Sequence, residues 1–362
     1  MNEIVTFETP TSRDPAALKY RWRALLVDRP NLRIRDAAAH LNVSEAELLA
    51  LDCGHRVTRL NGDWRALIQE LPKLGPLLAL TRNEHAVHEK HGAYRNISFT
   101  GTQGLVLAEQ IDLRLFMSRW HSGFAERDRR QGKDQFSLQF FDRDGSAVHK
   151  VYLREDSDFQ AYEALVERYC ARDQSPIQPV EPAPSRRVRP DEEVDRAGLQ
   201  EAWQRLQDTH DFHPMLLRFE VERLQALRLA DDELARSVGV ERVEHVLTQA
   251  AAAGLPIMVF VGNPGAIQIH TGPIRQLKRT GEWLNVLDPD FDFHLRDTGI
   301  ASVWRVRKPT EDGVVSSLEL YDAAGATIAQ FFGKRKPGQP ELPEWRSLLD
   351  GLPPEAPART AA

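Results

Sequence analysis

Cysteine is nearly absent: Cys53 and Cys170 are the only two in 362 residues, and neither sits in a CxxC or CxxCH string. That excludes a disulfide scaffold, a cysteine zinc site and a thioether-linked prosthetic group. Long apolar runs are missing too, so no segment reaches the ~20 residues that a membrane helix needs. The opening MNEIVTFETPTSRDP lacks the basic-then-apolar pattern of a signal peptide, which makes the cytoplasm the expected address. A P-loop, a GxGxxG turn, an HExxH helix and a GxSxG elbow are all absent. The 53 carboxylates are scattered, and no pair of them stands out as an acid–base couple. With a formal net charge of −6, the chain as a whole carries no mark of a nucleic-acid binder.

What the chain does have is a repeat. SLQFFDRDGSAVHKVY at 137–152 aligns with SLELYDAAGATIAQFF at 317–332, a register of 180 residues. The same register pairs Pro76 with Pro256, Asn83 with Asn263, Ala86 with Ala266, Gly92 with Gly272 and Arg95 with Arg275. It continues through Leu107 with Leu287 and Asp112 with Asp292, so each half reads as one unit, duplicated. The segment 175–194 holds five prolines and no periodicity, and it reads as a semi-rigid linker between repeats at 14–174 and 195–352.

In each half, helical patterns precede strand patterns. ALKYRWRALLV, RIRDAAAHLNVSEAELLAL and WRALIQEL are helical in the first half. GLQEAWQRLQDTH, PMLLRFEVERLQAL, DDELARSV and ERVEHVLTQAAAAG answer in the second. PLLALTRN, LPIMVFVGN and AIQIHTGP are short, apolar or alternating strands, and FDRDGSA and YDAAGA are hairpin turns. Helices followed by runs of strands predict an α+β fold, each half an antiparallel sheet with flanking helices.

Three local signals compete for a function. IRDAAAHLNVSEAELLAL at 34–51 resembles a helix-turn-helix, with Asn42, Val43 and Ser44 as turn and N-cap. Its second helix offers Glu45 and Glu47 where a DNA reader needs Arg, Lys, Asn or Gln, so it reads as a helical hairpin of the core. HAVHEKH at 85–91 looks like a metal cluster, but in a strand His85 and His88 point to opposite faces, and His91 finds no nearby carboxylate cluster. His210 and His213 share helical spacing with Leu206 and Leu217, and Pro214 makes a helix kink or restart there. On spacing alone, a satisfied core or surface histidine outweighs a ligand.

Longer strings bring a family into view. LTRNEHAVHEKHGAYRNI (80–97), EQIDLRLFMSRWHSGFA (109–125), VGNPGAIQIHTGPI (261–274), EWLNVLDPDFDFHLR (282–296), VWRVRKPTEDGVVSSLELYDAAG (303–325) and FFGKRKPGQPE (331–341) resemble the cytoplasmic haem-transport and hemin-degrading proteins of Gram-negative bacteria. The resemblance spans nearly the whole chain. It implies two homologous halves, one non-covalent haem b, and a proximal histidine in a D-x-H-x-F segment, matched by Asp208 to Phe212 with His210 as iron ligand. His213 matches a second histidine that some members carry.

The resemblance further implies a distal arginine from the first half, placed at Arg114 with Arg95 as the alternative. Porphyrin and propionate contacts fall on Arg223, Phe260, Lys308, Gln330, Phe332 and Arg335, and Phe332 stands where members often have Tyr. The residue types suit the ligand: imidazole for iron, Lys and Arg for propionates, aromatic rings for the disc. Two functions stay open, a carrier between an inner-membrane haem importer and a haem oxygenase, or an enzyme that itself opens the porphyrin with dioxygen and reductant. DNA regulation through 34–51 is the weaker third.

Overall fold

In a computed structural model, residues 14–130, 132–183, 188–335 and 338–355 are described. The opening 13 residues, residues 184–187 of the Pro-rich segment and residues 336 and 337 of FFGKRKPGQPE lie outside them.

The strands of the first half are β1 (Val57–Arg59), β2 (Leu77–Arg82), β3 (Ala86–Gly92), β4 (Ile97–Thr100), β5 (Gln103–Leu107), β6 (Asp112–Phe116), β7 (Ser122–Arg130), β8 (Lys133–Phe141) and β9 (Ala147–Leu153). Those of the second are β10 (Ala235–Val238), β11 (Ile257–Asn263), β12 (Ala266–Gly272), β13 (Leu277–Thr280), β14 (Trp283–Asp288), β15 (Phe291–Arg296), β16 (Ser302–Lys308), β17 (Val315–Tyr321) and β18 (Thr327–Gly333). They form two nine-stranded sheets, ordered β1-β7-β8-β9-β2-β3-β15-β14-β13 and β10-β16-β17-β18-β11-β12-β6-β5-β4. Each strand of one order has its repeat counterpart at the same place in the other, which is the duplication seen in the sequence. The fold is α+β as expected.

The order also shows an exchange that the sequence does not announce. Three strands of each half, β4–β6 and β13–β15, extend the sheet of the other. By β6 pairing with β12, Arg114 comes opposite Ile267. The described residues fall into two compact units: those within 14–78, 97–104 and 116–183 form one, and those within 79–96, 105–115 and 188–355 form the other.

In the first unit the helices are α1 (Pro15–Asp28), α2 (Ile34–Leu41), α3 (Glu45–Ala50), α4 (Trp64–Glu70) and α5 (Phe159–Tyr169). Asn42 takes φ 54° to end α2, and Ser44 opens α3 with a capping box to Glu47. Every residue of α3 is buried, Glu45 and Glu47 included. A recognition helix needs an exposed face, so the DNA-binding alternative for 34–51 is set aside and the core-hairpin reading stands.

In the second unit come α6 (Arg196–Gln204), α7 (Phe212–Arg218), α8 (Arg223–Leu229), α9 (Arg242–Ala252) and α10 (Pro343–Asp350). Val243, Val246 and Leu247 of α9 and Trp345 and Leu349 of α10 pack with β11, β17 and β18 into one core. Trp203, Phe212, Leu216 and Leu227 of α6–α8 make a second core that includes Tyr321.

Two helical expectations fail here. DDELARSV yields strand β10, because Ala235 to Val238 pair with Val306 to Val303 and tertiary pairing overrides propensity. PMLLRFEVERLQAL is two helices, broken where Glu220 adopts φ 53°.

Candidate functional site

The sheet of the second unit has one face that gathers most of the expected site. Cross-strand pairing aligns Glu319 with Gln330, Gln330 with Phe260, Phe260 with Ile269 and Ile269 with Asp112. Side chains alternate along a strand, so Phe332, Lys308 and Arg114 share that face. The Phe260 and Phe332 rings lie 5.0 Å apart, and the Lys308 ammonium sits 5.5 Å from the Phe332 centroid. Helix α7 contributes Phe212, whose ring lies 4.6 Å from the Lys308 ammonium and 4.9 Å from the Arg223 guanidinium. Arg223, at the start of α8, completes the same wall.

A buried carboxylate missed in the sequence organises these cations. Glu319 is fully buried, and its Oε1 accepts from Arg223 Nη2 at 2.7 Å and Lys308 Nζ at 3.2 Å. Its Oε2 accepts from Arg223 Nε at 2.7 Å and the Tyr321 hydroxyl at 2.6 Å, while Ser317 Oγ donates to Oε1 at 2.9 Å. Burial opposes the charge on Glu319, but the Arg223 and Lys308 cations outweigh it and hold the carboxyl well below its usual range. Burial lowers Lys308 to about 8, against the pull of Glu319 and with the push of Arg223. Arg223 also pays burial, yet Glu319 more than offsets it and raises its pKa. Two cations therefore share one carboxylate, leaving the wall electropositive.

Two donors among the expected contact residues have no partner. Gln330 Nε2 and Arg335 Nη1 are buried without a hydrogen bond. An orphaned donor costs roughly 1–3 kcal/mol, so both ask for an acceptor.

The histidines lie elsewhere than helical spacing implied. His210 is in the 3-10 turn Thr209–Asp211 and His213 in the first turn of α7, with Pro214 next to it. The restart at Pro214 is present, but the shared apolar face is not: His210, His213 and Leu217 are exposed, whereas Phe212, Met215 and Leu216 are buried. Pro214 fits a first helical turn, where its missing N–H is not needed. His210 Nδ1 lies 2.6 Å from Asp208 Oδ1, and the same oxygen accepts from the His210 backbone N–H at 2.7 Å. These bonds, with the more distant charge of Arg335, hold the Asp208 carboxyl below its usual pKa. Such a carboxylate–imidazole pair fixes the ring and leaves Nε2 open to a further partner.

Arg114 is partly exposed and ion-paired with Asp112, two residues earlier on its own strand. Arg95 is exposed in the connection between β3 and β4, outside the strands. The structure thus brings Arg114, Arg223, Phe260, Lys308, Gln330 and Phe332 to one wall and leaves Arg95 apart. Glu319, Ser317 and Tyr321 are the additions. Their signal was a carboxylate inside the strand VSSLELY, where an unpaired charge is not tolerated. HAVHEKH forms no metal cluster: His88 is buried in β3, and His85 Nδ1 sits 2.9 Å from Arg296 Nη2. Among the described residues no group of three or more His, Cys, Asp or Glu is arranged to hold a metal ion.

Comparison with known proteins agrees with this architecture. The haemin-degrading HemS.ChuX domain matches residues 42–169 and again 220–352. The hemin transport protein HmuS of Yersinia pestis is 39% identical over 338 residues, covering 93% of this chain and 97% of HmuS. Holo-PhuS, a heme-binding protein from Pseudomonas aeruginosa, superposes with a TM-score of 0.91 at 48% identity, covering 94% of this chain and 99% of PhuS. ChuS, an E. coli heme oxygenase, gives 0.83 at 35% identity, covering 92% of this chain and 99% of ChuS. Duplicated domain, strand order and relatives concur: the chain belongs to the HemS/ChuX haem-utilisation family of Gram-negative bacteria.

Proposed function

We propose that this protein binds one non-covalent haem b on the second unit's sheet face, with His210 as proximal iron ligand, and carries it within the cytoplasm. The observation that carries the reading is the pairing of His210 with Asp208 beside a wall of aromatic rings, cations and orphaned donors. Haem is an apolar disc with two carboxylates at one edge, and the wall matches both features. Phe260 and Phe332 pack against a ring. Arg335 and Gln330 supply donors that have no other partner, and Arg223 and Lys308 supply positive charge. When bound, haem supplies an iron centre able to take axial ligands and react with dioxygen. The chain's own part is to orient the imidazole, neutralise the carboxylates and keep water from the ring.

An exposed His210 and an exposed His213 three residues on suit release and ligand exchange, which favours a carrier. In that role the protein accepts haem from an inner-membrane importer and passes it to an oxygenase. No helix among the described residues is long and apolar enough to cross a membrane. The name of ChuS, a heme oxygenase, motivates the second reading, ring opening by the protein itself. Titration with hemin tests the first: a saturable Soret shift at one equivalent is expected, and no shift overturns it. Incubation of the complex with ascorbate and catalase separates the two, because only a true oxygenase forms tetrapyrrole product when peroxide is removed.

A further inference from the structure

The buried carboxylate at 319 is the feature that the haem reading leaves unexplained. Arg223 and Lys308 come from α8 and β16, and their side chains converge on one group, the Glu319 carboxylate of β17. Without it, two cations would lie together in a dry wall. Removing one partner of a buried network leaves uncompensated charge, and a lysine responds by losing its proton.

The other repeat offers an internal control. Residues 180 positions earlier read Asp128 for Lys308, Gln139 for Glu319 and Lys150 for Gln330. There Gln139 Nε2 donates to Glu126 Oε2 at 2.6 Å and to Ser137 Oγ at 3.0 Å, while Lys150 pairs with Glu45. Asp128 pairs with Arg56 at 3.0 Å. The first unit thus keeps a buried polar cluster but reverses its charges: the carboxylates of Glu45 and Glu126 act on one buried lysine, Lys150. At the position of Glu319 and its two cations, the first unit has the neutral amide of Gln139.

We propose that Glu319 is a positioning residue of the ligand face, which fixes Arg223 and Lys308 side by side and sets how much positive charge they offer to a carboxylate-bearing ligand. The inference rests on the haem reading, and the test separates the two. The groups facing Lys308 are Glu319, the Arg223 guanidinium, and the Phe212 and Phe332 rings. Glu319 is the one anion among them and favours the protonated form, whereas burial and Arg223 disfavour it. With Glu319 present, Lys308 is cationic at neutral pH and loses its proton as pH rises through about 8. With glutamine at 319 that support is lost, Lys308 gives up its proton at lower pH, and the alkaline step is expected to leave the range titrated.

The experiment is titration of the full-length protein with ferric haem and with its dimethyl ester from pH 6.5 to 9.5. Wild-type affinity for haem is expected to fall about tenfold over this range, the size of one lost charged hydrogen bond. The ester has no carboxylates and should show no such fall. Glu319→Gln should bind haem with a flat profile and an unchanged Soret position. Glu319→Gln with the wild-type profile overturns the proposal. Should that variant fail to fold, Lys308→Met takes its place: a flat profile supports the proposal, and a retained alkaline fall overturns it. A wild-type Soret shift with a flat profile overturns this inference alone, whereas no Soret shift at all overturns the haem reading and this inference with it.

Discussion

Asn83 and Asn263 stand 180 residues apart and perform the same task for each other's turn: Asn83 Nδ2 donates to the Gly262 carbonyl at 3.0 Å, and Asn263 Nδ2 to the Arg82 carbonyl at 2.9 Å. Each Oδ1 also closes its own turn, accepting from the Ala86 N–H at 2.9 Å and from the Ala266 N–H at 3.0 Å. Asn83 adds a bond to the Ile328 carbonyl at 2.8 Å. Both residues lie in the second unit, and these amides join the β2–β3 turn to the β11–β12 turn. Asn83→Ala should cost about 1–3 kcal/mol in urea unfolding, since carbonyls and N–H groups are left unmatched. Asn263→Ala should cost a similar amount, by the same loss of matched groups. The double variant should lose less than the two singles together, because the side chains serve one junction. Full additivity would show that the two turns are independent.

The repeat was open to reading because its turns repeat their chemistry. Asp142 and Asp322 accept from the N–H of Gly145 and Gly325, each at 3.0 Å, and both glycines take positive φ, 78° and 76°. Such turns need specific residues, so sequence carries them. The strand exchange was not readable, because pairing of β6 with β12 depends on neighbours remote in the chain. The face composition of Phe260, Gln330 and Phe332 came through the family resemblance, and strand alternation explains why they meet. Glu319 escaped notice because a charge in a strand is recognisable as functional only once its partners are known. The exposure of His210 and His213 was missed for a related reason: helical spacing assumed one helix where the chain makes a turn and a new start.

The proposed iron ligation rests on the Asp208–His210 pair. His210→Ala should weaken hemin binding at least tenfold and move the Soret band, whereas His213→Ala should do less. Asp208→Ala keeps the imidazole but frees its ring, and loss of such an orienting carboxylate costs roughly 10–100-fold in affinity. Hemin titrations of the three variants check the order. An unchanged spectrum and affinity in His210→Ala would remove that residue from the iron, and a partial effect would mean that His213 takes its place.

Arg114 and Asp112 make opposite predictions for one spectral transition. A guanidinium on the ligand face favours the alkaline, more anionic form of the ferric complex, and the Asp112 carboxylate partly neutralises it. Arg114→Ala should therefore raise the midpoint of the acid–alkaline transition by about 1 pH unit, a scale set by one charged hydrogen bond. Asp112→Asn should lower it. If neither midpoint moves, the distal group is a different residue, and Arg95→Ala is the next variant to titrate.

The fold itself should be acid-sensitive before its carboxylates titrate. His149 in the first unit is held neutral by burial, with a pKa of about 3. His270 in the second is also at about 3, through burial and the Lys90 ammonium 3.2 Å from its Nδ1. Its ring stacks on Phe291 with centroids 3.9 Å apart, so no water can reach that face. In the unfolded chain both imidazoles take a proton near their ordinary 6.5. Between 6.5 and 3 the unfolded state thus binds more protons than the folded one, and stability falls as pH falls. Each histidine adds a slope of up to about 1.4 kcal/mol per pH unit in that window. Glu319 acts in the same direction at lower pH, because its carboxyl titrates far below the usual range when folded. Urea unfolding of wild type, His149→Asn, His270→Asn and the double variant from pH 7.5 to 4.5 resolves the contributions. Each substitution should lower stability at pH 7.5 and make the acid limb shallower, most of all in the double variant. An acid limb as steep in the double variant as in wild type would assign the loss to other groups.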